Sequence, residues 1–129
     1  MISLKNQAAV AGIGCTEFSK NSGRSELALA SEALCAAAED AGLPVSEIDG
    51  LVSYTLDPTD EIELARSVGT GDLTFYSKVN YGGGAAVGVV HQAVMAIATG
   101  QAKNVVVYRA MNGRSGQRNG QGVSGDIVT

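Results

Sequence analysis

The sequence predicts an α/β domain in which a mainly parallel sheet carries helices on both faces. Segments with strand character alternate with segments of helical periodicity along most of the chain, which is the order that parallel sheets require. Residues 104–110 (NVVVYRA) are almost continuously apolar and β-branched, as central parallel strands are. Glycines stand where several of these segments end, and glycine is a common terminator of helices and strands.

The first strand is predicted at residues 7–13 (QAAVAGI), a short apolar run. Gly12 and Gly14 close this run, and a glycine pair suits a sharp turn out of a strand. Residues 15–24 are polar and therefore predict a loop. The interpretation is a buried strand that turns into an exposed connection.

The first helix is predicted by a start signal, an apolar stripe and a stop signal. Ser25 suits an N-cap with Glu26 in the first turn, and Gly42 before Leu43-Pro44 is a strong C-terminal stop. Apolar residues recur between them at intervals of three and four, which predicts one buried face. This stripe comprises Leu27, Ala30, Leu34, Ala38 and Ala41.

A second strand and a second helix are predicted in the next stretch. Residues 48–55 (IDGLVSYT) have strand character. Asp57 then suits an N-cap, with Pro58 at the first helical position. The helix that follows has one predicted apolar edge, made of Ile62, Ala65 and Val68.

Three further elements complete the alternation. Residues 73–79 alternate between apolar and polar side chains, which predicts a third strand. Residues 85–98 predict a helix that is apolar nearly all round and hence buried on most faces. Residues 104–110 are the fourth predicted strand.

Composition excludes several classes of function. The 129 residues are 45% hydrophobic and 17% charged, with a net charge of −4, so one globular domain or part of one is expected. The lysines are scattered and form no basic patch, which argues against nucleic acid and anionic membrane surfaces as partners. No signal peptide is evident, and the most apolar window is too short to cross a bilayer. A cytoplasmic location is therefore expected.

The two cysteines do not indicate a metal or redox site. Cys15 and Cys35 are twenty residues apart and fit no zinc or dithiol spacing. They are interpreted as small apolar residues that are buried in a reducing compartment. No metal site is predicted anywhere in the chain.

A glycine triplet marks the junction between the third strand and the third helix. Residues 79–100 read VNYGGGAAVGVVHQAVMAIATG, and glycines at such a junction mean that the backbone takes positive φ or that something approaches it closely. No lysine follows as a Walker A loop requires, and the spacing does not fit a dinucleotide fingerprint. The arrangement is that of a nucleophile elbow with glycine in the place of the nucleophile.

Three blocks of the sequence resemble one protein family. AGIGCTEFSKNSGRSELALASEAL, LPVSEIDGLVS and VNYGGGAAVGVVHQAVMAIATGQAKNVVVYRA are similar to the N-terminal part of thiolase-superfamily proteins. Within that superfamily they most resemble the lipid-transfer thiolases related to sterol carrier protein x, and among these the bacterial steroid side-chain aldolases. The resemblance implies a thiolase-like layered fold, present as its N-terminal half at residues 1–111. Residues 112–129 would then be a glycine-rich loop that begins the family's loop region and is truncated.

The resemblance also implies which residues act. The nucleophilic cysteine of thiolases falls on Gly83, and a slip of one residue would meet Gly82 or Gly84, so no thiol is present to form an acyl-enzyme. A CoA-thioester carbon-carbon lyase, a retro-aldolase of lipid or steroid side-chain degradation, is the function that this departure favours. Tyr81 is the candidate catalytic residue for proton transfer. The candidate substrate-binding residues are Asn80, Gly82, Gly83 and Gly84.

Two other functions stay open at this point. A thiolase-type acyltransferase would need another nucleophile, and a non-catalytic lipid-transfer or scaffold subunit would bind acyl-CoA without turning it over. The resemblance implies acyl-CoA as the substrate, no covalently bound cofactor and a homodimer. It also implies a small OB-fold partner with a zinc ribbon.

Overall fold

The structure is a computed structural model that describes residues 3–54, 59–80 and 84–112. In these residues the chain forms three α-helices, three strands and one turn of 3₁₀ helix. The helices are α1 (Glu26–Ala41), α2 (Glu61–Val68) and α3 (Ala85–Ala98), the strands are β1 (Gly50–Tyr54), β2 (Phe75–Val79) and β3 (Val105–Tyr108), and the 3₁₀ turn is Val45–Glu47.

The described strands form a parallel sheet in the order β2-β1-β3. Gly50 of β1 lies opposite Phe75 of β2 and Val105 of β3, and the register continues without a bulge. The predicted parallel sheet is therefore confirmed. The prediction that β3 is a central strand is wrong for the described residues, because β1 occupies the centre and β3 lies at an edge.

Helices cover both faces of the sheet, as predicted. Leu51 of β1 packs into a core with α1 and α2, whereas the next residue, Val52, packs on the other face with Val89 and Ala93 of α3. Alternate residues of a strand point to opposite faces, so this one strand supplies both cores. The larger core comprises Leu29, Ala30, Leu34, Ala38, Ile48, Leu51, Leu64, Tyr108 and Ala110.

The predicted limits of α1 are confirmed. The Ala28 N–H donates to Ser25 Oγ at 3.2 Å, which makes Ser25 the N-cap. Gly42 has φ of 65°, and the Leu43 N–H donates to the Ala38 carbonyl at 2.9 Å, which is the usual glycine stop. The predicted stripe is largely correct, although Leu29 is buried and Leu27 is only half-buried.

The second helix begins later than predicted. Its N-cap is Asp60, and the predicted cap at Asp57 and Pro58 lies outside the described residues. Ile62, predicted to be on the apolar edge, is 56% exposed, whereas Leu64 is fully buried. Because the helix starts at Glu61, residues 64 and 68 lie on the face that packs towards the sheet. Ile62 is rotated by about 100° from Glu61 around the helix axis, which turns it away from that face.

Residues 7–13 do not form the predicted buried strand. Val10 is 80% exposed and Ile13 is 77% exposed, and the segment pairs with no strand among the described residues. Instead it runs along α1, where a Cβ on Gly12 would come within 2.8 Å of the Ala41 nitrogen. The prediction failed because a strand needs a neighbour, and a cavity separates this segment from β3.

Burial was also predicted wrongly for α3 and for the cysteines. Val87 of α3 is 75% exposed and Val90 is 46% exposed, because one face of the helix packs on the sheet and no described residue covers the other. Cys15 and Cys35 are both exposed; the first lies in a polar loop and the second on the outer face of α1. Among the described helices, none has the length and hydrophobicity that crossing a bilayer demands.

Candidate functional site

The candidate site lies at the carboxyl edge of the sheet. In a parallel sheet all strands end on the same edge, and ligands of α/β folds bind in the crevice outside it. Here β1 ends at Tyr54, β2 at Val79 and β3 at Tyr108. The residues that follow these strands, Asn80 and Arg109 among them, are therefore the ones positioned to meet a ligand.

The turn between β2 and α3 has the predicted strand-turn-helix arrangement. Asn80 is exposed directly after β2, and Gly84 is the exposed N-cap of α3, with no side-chain cap bonded to the helix start. Tyr81, Gly82 and Gly83 lie outside the described residues, so the roles predicted for them stay predictions. The structure thus places two of the five predicted site residues, one at each end of this turn.

Neither the backbone conformation nor the packing at position 84 requires a glycine. Its φ is −64°, which any residue adopts, and a Cβ built on it would meet nothing within 4 Å. By contrast, a Cβ on Gly88, one turn into α3, would lie 3.1 Å from Val79 Cγ1, so that glycine lets α3 pack close to β2. A small residue at position 84 therefore leaves open space at the helix start.

Tyr54 and Arg109 form a pair at the same edge, which the sequence did not point out. The guanidinium carbon of Arg109 lies 4.2 Å from the centre of the Tyr54 ring, a cation–π distance. Tyr54 packs against the cluster beneath α3, so the pair is on the face of the sheet that carries this helix. Its only sequence signal is that Tyr54 and Arg109 lie at the carboxyl ends of predicted parallel strands.

Arg109 is an exposed cation that lies over the ring of Tyr54. Among the described residues it makes no salt bridge, and its Nη2 contacts only the Met111 sulfur, at 3.0 Å. Because Arg109 is exposed, the guanidinium donors that do not face Tyr54 or Met111 are accessible. The pair can therefore receive an anionic or carbonyl oxygen at the carboxyl edge.

Hydrogen bonds attach the start of α2 to the same edge. Ser53 Oγ donates to Glu61 Oε1 at 3.0 Å, and Tyr108 Oη donates to the Thr59 carbonyl at 2.8 Å. Both Ser53 and Tyr108 are buried. These bonds hold residues 59–61 close to the ends of β1 and β3.

A second cavity opens beside the end of β3. It has a volume of about 270 Å³ and lies between the loop at residues 14–19 and residues 109–112. Ser22 Oγ donates to Asn112 Oδ1 at 2.6 Å, and Asn112 Nδ2 donates to the Arg24 carbonyl at 2.7 Å. One amide side chain thus ties the chain that leaves β3 to the loop before α1.

No metal centre is evident at this edge. Within residues 3–54, 59–80 and 84–112, no group of three or more His, Cys, Asp or Glu side chains comes close enough together to hold a metal ion.

Comparison with known proteins identifies close relatives. The chain is 62% identical over 122 residues to a steroid side-chain-cleaving aldolase of Thermomonospora curvata, which covers 95% of this chain and 31% of the relative. It is 58% identical over 118 residues to the 17-hydroxy-3-oxo-4-pregnene-20-carboxyl-CoA lyase of Mycobacterium tuberculosis, covering 92% of this chain and 31% of that protein. The chain thus spans about a third of the length of these relatives. No family model matches it.

Similar solved structures agree with the sequence relatives. An Ltp2-ChsH2(DUF35) aldolase superposes with a TM-score of 0.82 at 63% identity, over 84% of this chain and 28% of that one. The 3-oxoacyl-[acyl-carrier-protein] synthase III of Aquifex aeolicus superposes with a TM-score of 0.57 at 20% identity, over 65% of this chain and 29% of that one. The second likeness concerns the fold alone, and it confirms the thiolase-like class.

Proposed function

We propose, from its membership of the steroid side-chain aldolase group of the thiolase superfamily, that the chain forms part of a CoA-thioester carbon-carbon lyase. The observation that carries the proposal is the 62% identity to a steroid side-chain-cleaving aldolase over 95% of the chain. The lyase that is 58% identical is named for a hydroxylated steroid CoA thioester, so acyl-CoA is the proposed substrate. No covalently bound cofactor is required.

The proposed reaction is a retro-aldol cleavage of a β-hydroxyacyl-CoA. A base removes the proton of the β-hydroxyl group, the bond between Cα and Cβ breaks, and Cβ leaves as the carbonyl carbon of a ketone or aldehyde. The electron pair passes into the thioester as an enolate, which takes up a proton at Cα to give the shorter acyl-CoA. Every atom of the substrate appears in the two products.

The glycine turn suits the enolate better than it suits an acyl-enzyme. Residues 82–84 are all glycine, so the turn has amides that can donate to an enolate oxygen and has no side chain that can attack a thioester. Gly84 leaves open space at the start of α3, which gives room for a bulky acyl chain. Tyr81 is the proposed proton-transfer residue, and Asn80 with the three glycines forms the proposed substrate contact.

The proposal also covers the partner subunits of the chain, the bounds of its thiolase-like domain and its location in the cell. One superposed structure is that of an Ltp2-ChsH2(DUF35) aldolase, which supports a second, small subunit, proposed to be of the OB-fold and zinc-ribbon type, beside a homodimer of this chain. Residues 1–111 are proposed as the N-terminal half of the thiolase-like domain and residues 112–129 as the start of its loop region. A cytoplasmic location is proposed as well.

One assay separates this proposal from its two rivals. The chain, joined to the part of the Thermomonospora aldolase that it lacks, is incubated with a β-hydroxyacyl-CoA, and the products are identified by mass spectrometry. A lyase releases a ketone or aldehyde with a shortened acyl-CoA and no free CoA. An acyltransferase would release free CoA and acylate the protein, and a scaffold subunit would bind the thioester unchanged.

An intact-mass measurement on the same mixture provides the second readout. We expect no acyl adduct on residues 82–84 at any time during turnover. An adduct at this turn would overturn the lyase mechanism proposed here, whatever products were formed.

A further inference from the structure

Arg109 belongs to a row of residues that crosses the carboxyl edge of the sheet. Tyr54 of β1 is opposite Val79 of β2, and Ser53 is opposite Tyr108 of β3, so Arg109 follows at the level of Tyr54. Val79 and Tyr54 pack in the cluster beneath α3, and the Arg109 guanidinium lies over the Tyr54 ring. The side chains of this row are therefore on the face of the sheet that carries α3.

The start of α3 lies near the other end of this row. Gly88 is so close to Val79 that a Cβ built on it would be 3.1 Å from Val79 Cγ1. Gly84, the N-cap, is four residues earlier, which is about one helical turn, and no side chain caps it. Because β1 lies between β2 and β3, a guanidinium that stacks on Tyr54 is turned from β3 towards this helix start.

Arg109 brings positive charge to this part of the edge. Among the described residues within four positions after a strand, it alone is cationic. Its guanidinium stays protonated at physiological pH, so it donates hydrogen bonds and does not act as a base. Glu17 lines the cavity of about 270 Å³ together with Arg109, but the two side chains form no ion pair. The Met111 sulfur, which Nη2 contacts, is a weak acceptor.

We infer that Arg109 donates to the enolate oxygen of the CoA thioester and is therefore a catalytic residue; this inference rests on the proposed lyase function. When the bond between Cα and Cβ breaks, the electron pair passes to the thioester oxygen. A cation beside that oxygen stabilises the enolate more than it stabilises the neutral carbonyl. The proton that completes the reaction goes to Cα, and Arg109 keeps its own protons throughout.

Kinetics distinguish a contact to the enolate from a contact to the bound substrate. The joined protein, which is this chain with the part of the Thermomonospora aldolase that it lacks, is assayed with a β-hydroxyacyl-CoA. We expect Arg109→Gln to lower kcat about 10²–10³-fold with little change in KM, because the contact forms only as charge develops. Arg109→Lys keeps the charge but loses the fork of donors, so its kcat should lie between the two.

Arg66→Gln is the matched control for these variants. Arg66 is exposed in the last turn of α2. This helix begins at the carboxyl edge and runs back along the sheet, so its last turn lies away from Arg109. We expect kcat and KM of Arg66→Gln to equal those of the unaltered joined protein.

A β-ketoacyl-CoA provides a readout that needs no bond cleavage. Such a compound loses a proton at Cα to give an enolate that absorbs in the near ultraviolet, and the absorbance of the bound ligand is followed against pH. We expect the midpoint pH to be about 1–2 units higher in Arg109→Gln, because the charged form loses a cationic donor. Tyr54→Leu removes the ring beneath the cation and should raise the midpoint by less. Arg66→Gln should leave it unchanged.

Two results would overturn this role of Arg109 while the lyase proposal stands. One is ketone or aldehyde release by Arg109→Gln at the unaltered rate. The other is an unmoved midpoint of enolate formation together with a raised KM, which would make Arg109 a binding residue only. A joined protein that cleaves no β-hydroxyacyl-CoA would contradict the lyase proposal instead, and the enolate midpoint would then decide whether Arg109 stabilises the charged ligand.

Discussion

Gly12 shows how one missing side chain sets the path of a whole segment. Its Cα lies against the backbone of α1, where a methyl group would overlap the Ala37 carbonyl and the Ala41 nitrogen. Backbone cannot move aside as the end of a flexible side chain can. The alanines on this face of α1 allow the same close approach from the other side.

Gly12→Ala is expected to destabilise the protein. Forcing a methyl group into this contact should lower the free energy of unfolding by about 1–3 kcal/mol, measured by urea unfolding followed by circular dichroism. Ala11→Ser, at an exposed neighbouring residue, is the control and should change it by less than about 0.5 kcal/mol. Equal stability of the two variants would mean that the segment does not pack on α1.

Tyr81 is the residue on which the proposed chemistry depends most. In the joined protein, Tyr81→Phe should lower kcat for cleavage of a β-hydroxyacyl-CoA by about 10²–10⁴-fold, because the phenol proton is lost while the ring is kept. Tyr76→Phe is the matched control, since Tyr76 is on β2 and 65% exposed, and its kcat should be unchanged. An unaltered rate in Tyr81→Phe would assign proton transfer elsewhere.

At the scale of elements, Asp49 joins the start of β1 to the start of β3. Its carboxylate accepts the Lys103 N–H at 3.0 Å and the Asn104 N–H at 2.8 Å. The Asn104 side chain in turn donates to the Glu47 carbonyl at 3.0 Å. One carboxylate therefore aligns the amino ends of two parallel strands that are about fifty residues apart in the chain.

Asp49→Ala should leave two backbone donors without their acceptor. We expect a loss of about 1–3 kcal/mol in the free energy of unfolding, with faster amide exchange at residues 103–106. Asp72→Ala is the control, because it removes an exposed carboxylate that makes no hydrogen bond or ion pair with another described residue. A loss of the same size in both variants would point to net charge rather than to these hydrogen bonds.

The end of α1 depends on a left-handed residue. Gly42 has φ of 65°, and a Cβ there would meet nothing within 4 Å, so any cost of substitution is conformational and not steric. Gly42→Ala should lower the free energy of unfolding by about 1 kcal/mol. Gly42→Asn should cost less, because asparagine tolerates this region better than alanine; the reverse order in thermal melts would contradict the account.

At the scale of the molecule, β2 and β3 are the two edge strands of the described sheet. Tyr76 of β2 is exposed, and β3 lies beside the cavity that separates it from residues 8–14. The outer face of α3 is also uncovered by described residues. The relatives are about three times as long as this chain, so in proteins of that length further residues are present that could cover such surfaces.

The edge at β2 is the expected homodimer interface, as the resemblance to thiolases implies. Tyr76→Glu should weaken self-association at least about tenfold, because a charge on an edge strand opposes strand pairing, and sedimentation measures this. Tyr76→Phe should associate like the unaltered protein. Association that does not change with Tyr76→Glu would move the interface away from this edge.

The sequence by itself determined the elements whose signals are local. Ser25 and Gly42 set the limits of α1 because caps act on the residues next to them. The apolar run at residues 85–98 predicted α3, because the composition of one continuous segment is a local signal. The resemblance to thiolases identified the glycine triplet as the position where the family has its nucleophilic cysteine. The close relatives agree with the family that the resemblance named.

Only the tertiary structure decided which strands have neighbours and which side chains meet. Residues 7–13 have a strand-like composition, yet strand pairing is a contact between distant residues, and the described chain offers no neighbour to that segment. The prediction that α3 is buried on most faces failed for the same reason. A helix that is apolar all round needs a partner on each side, and among the described residues α3 has only the sheet on one side. Tyr54 and Arg109 lie 55 residues apart, and they meet because parallel strands β1 and β3 end side by side.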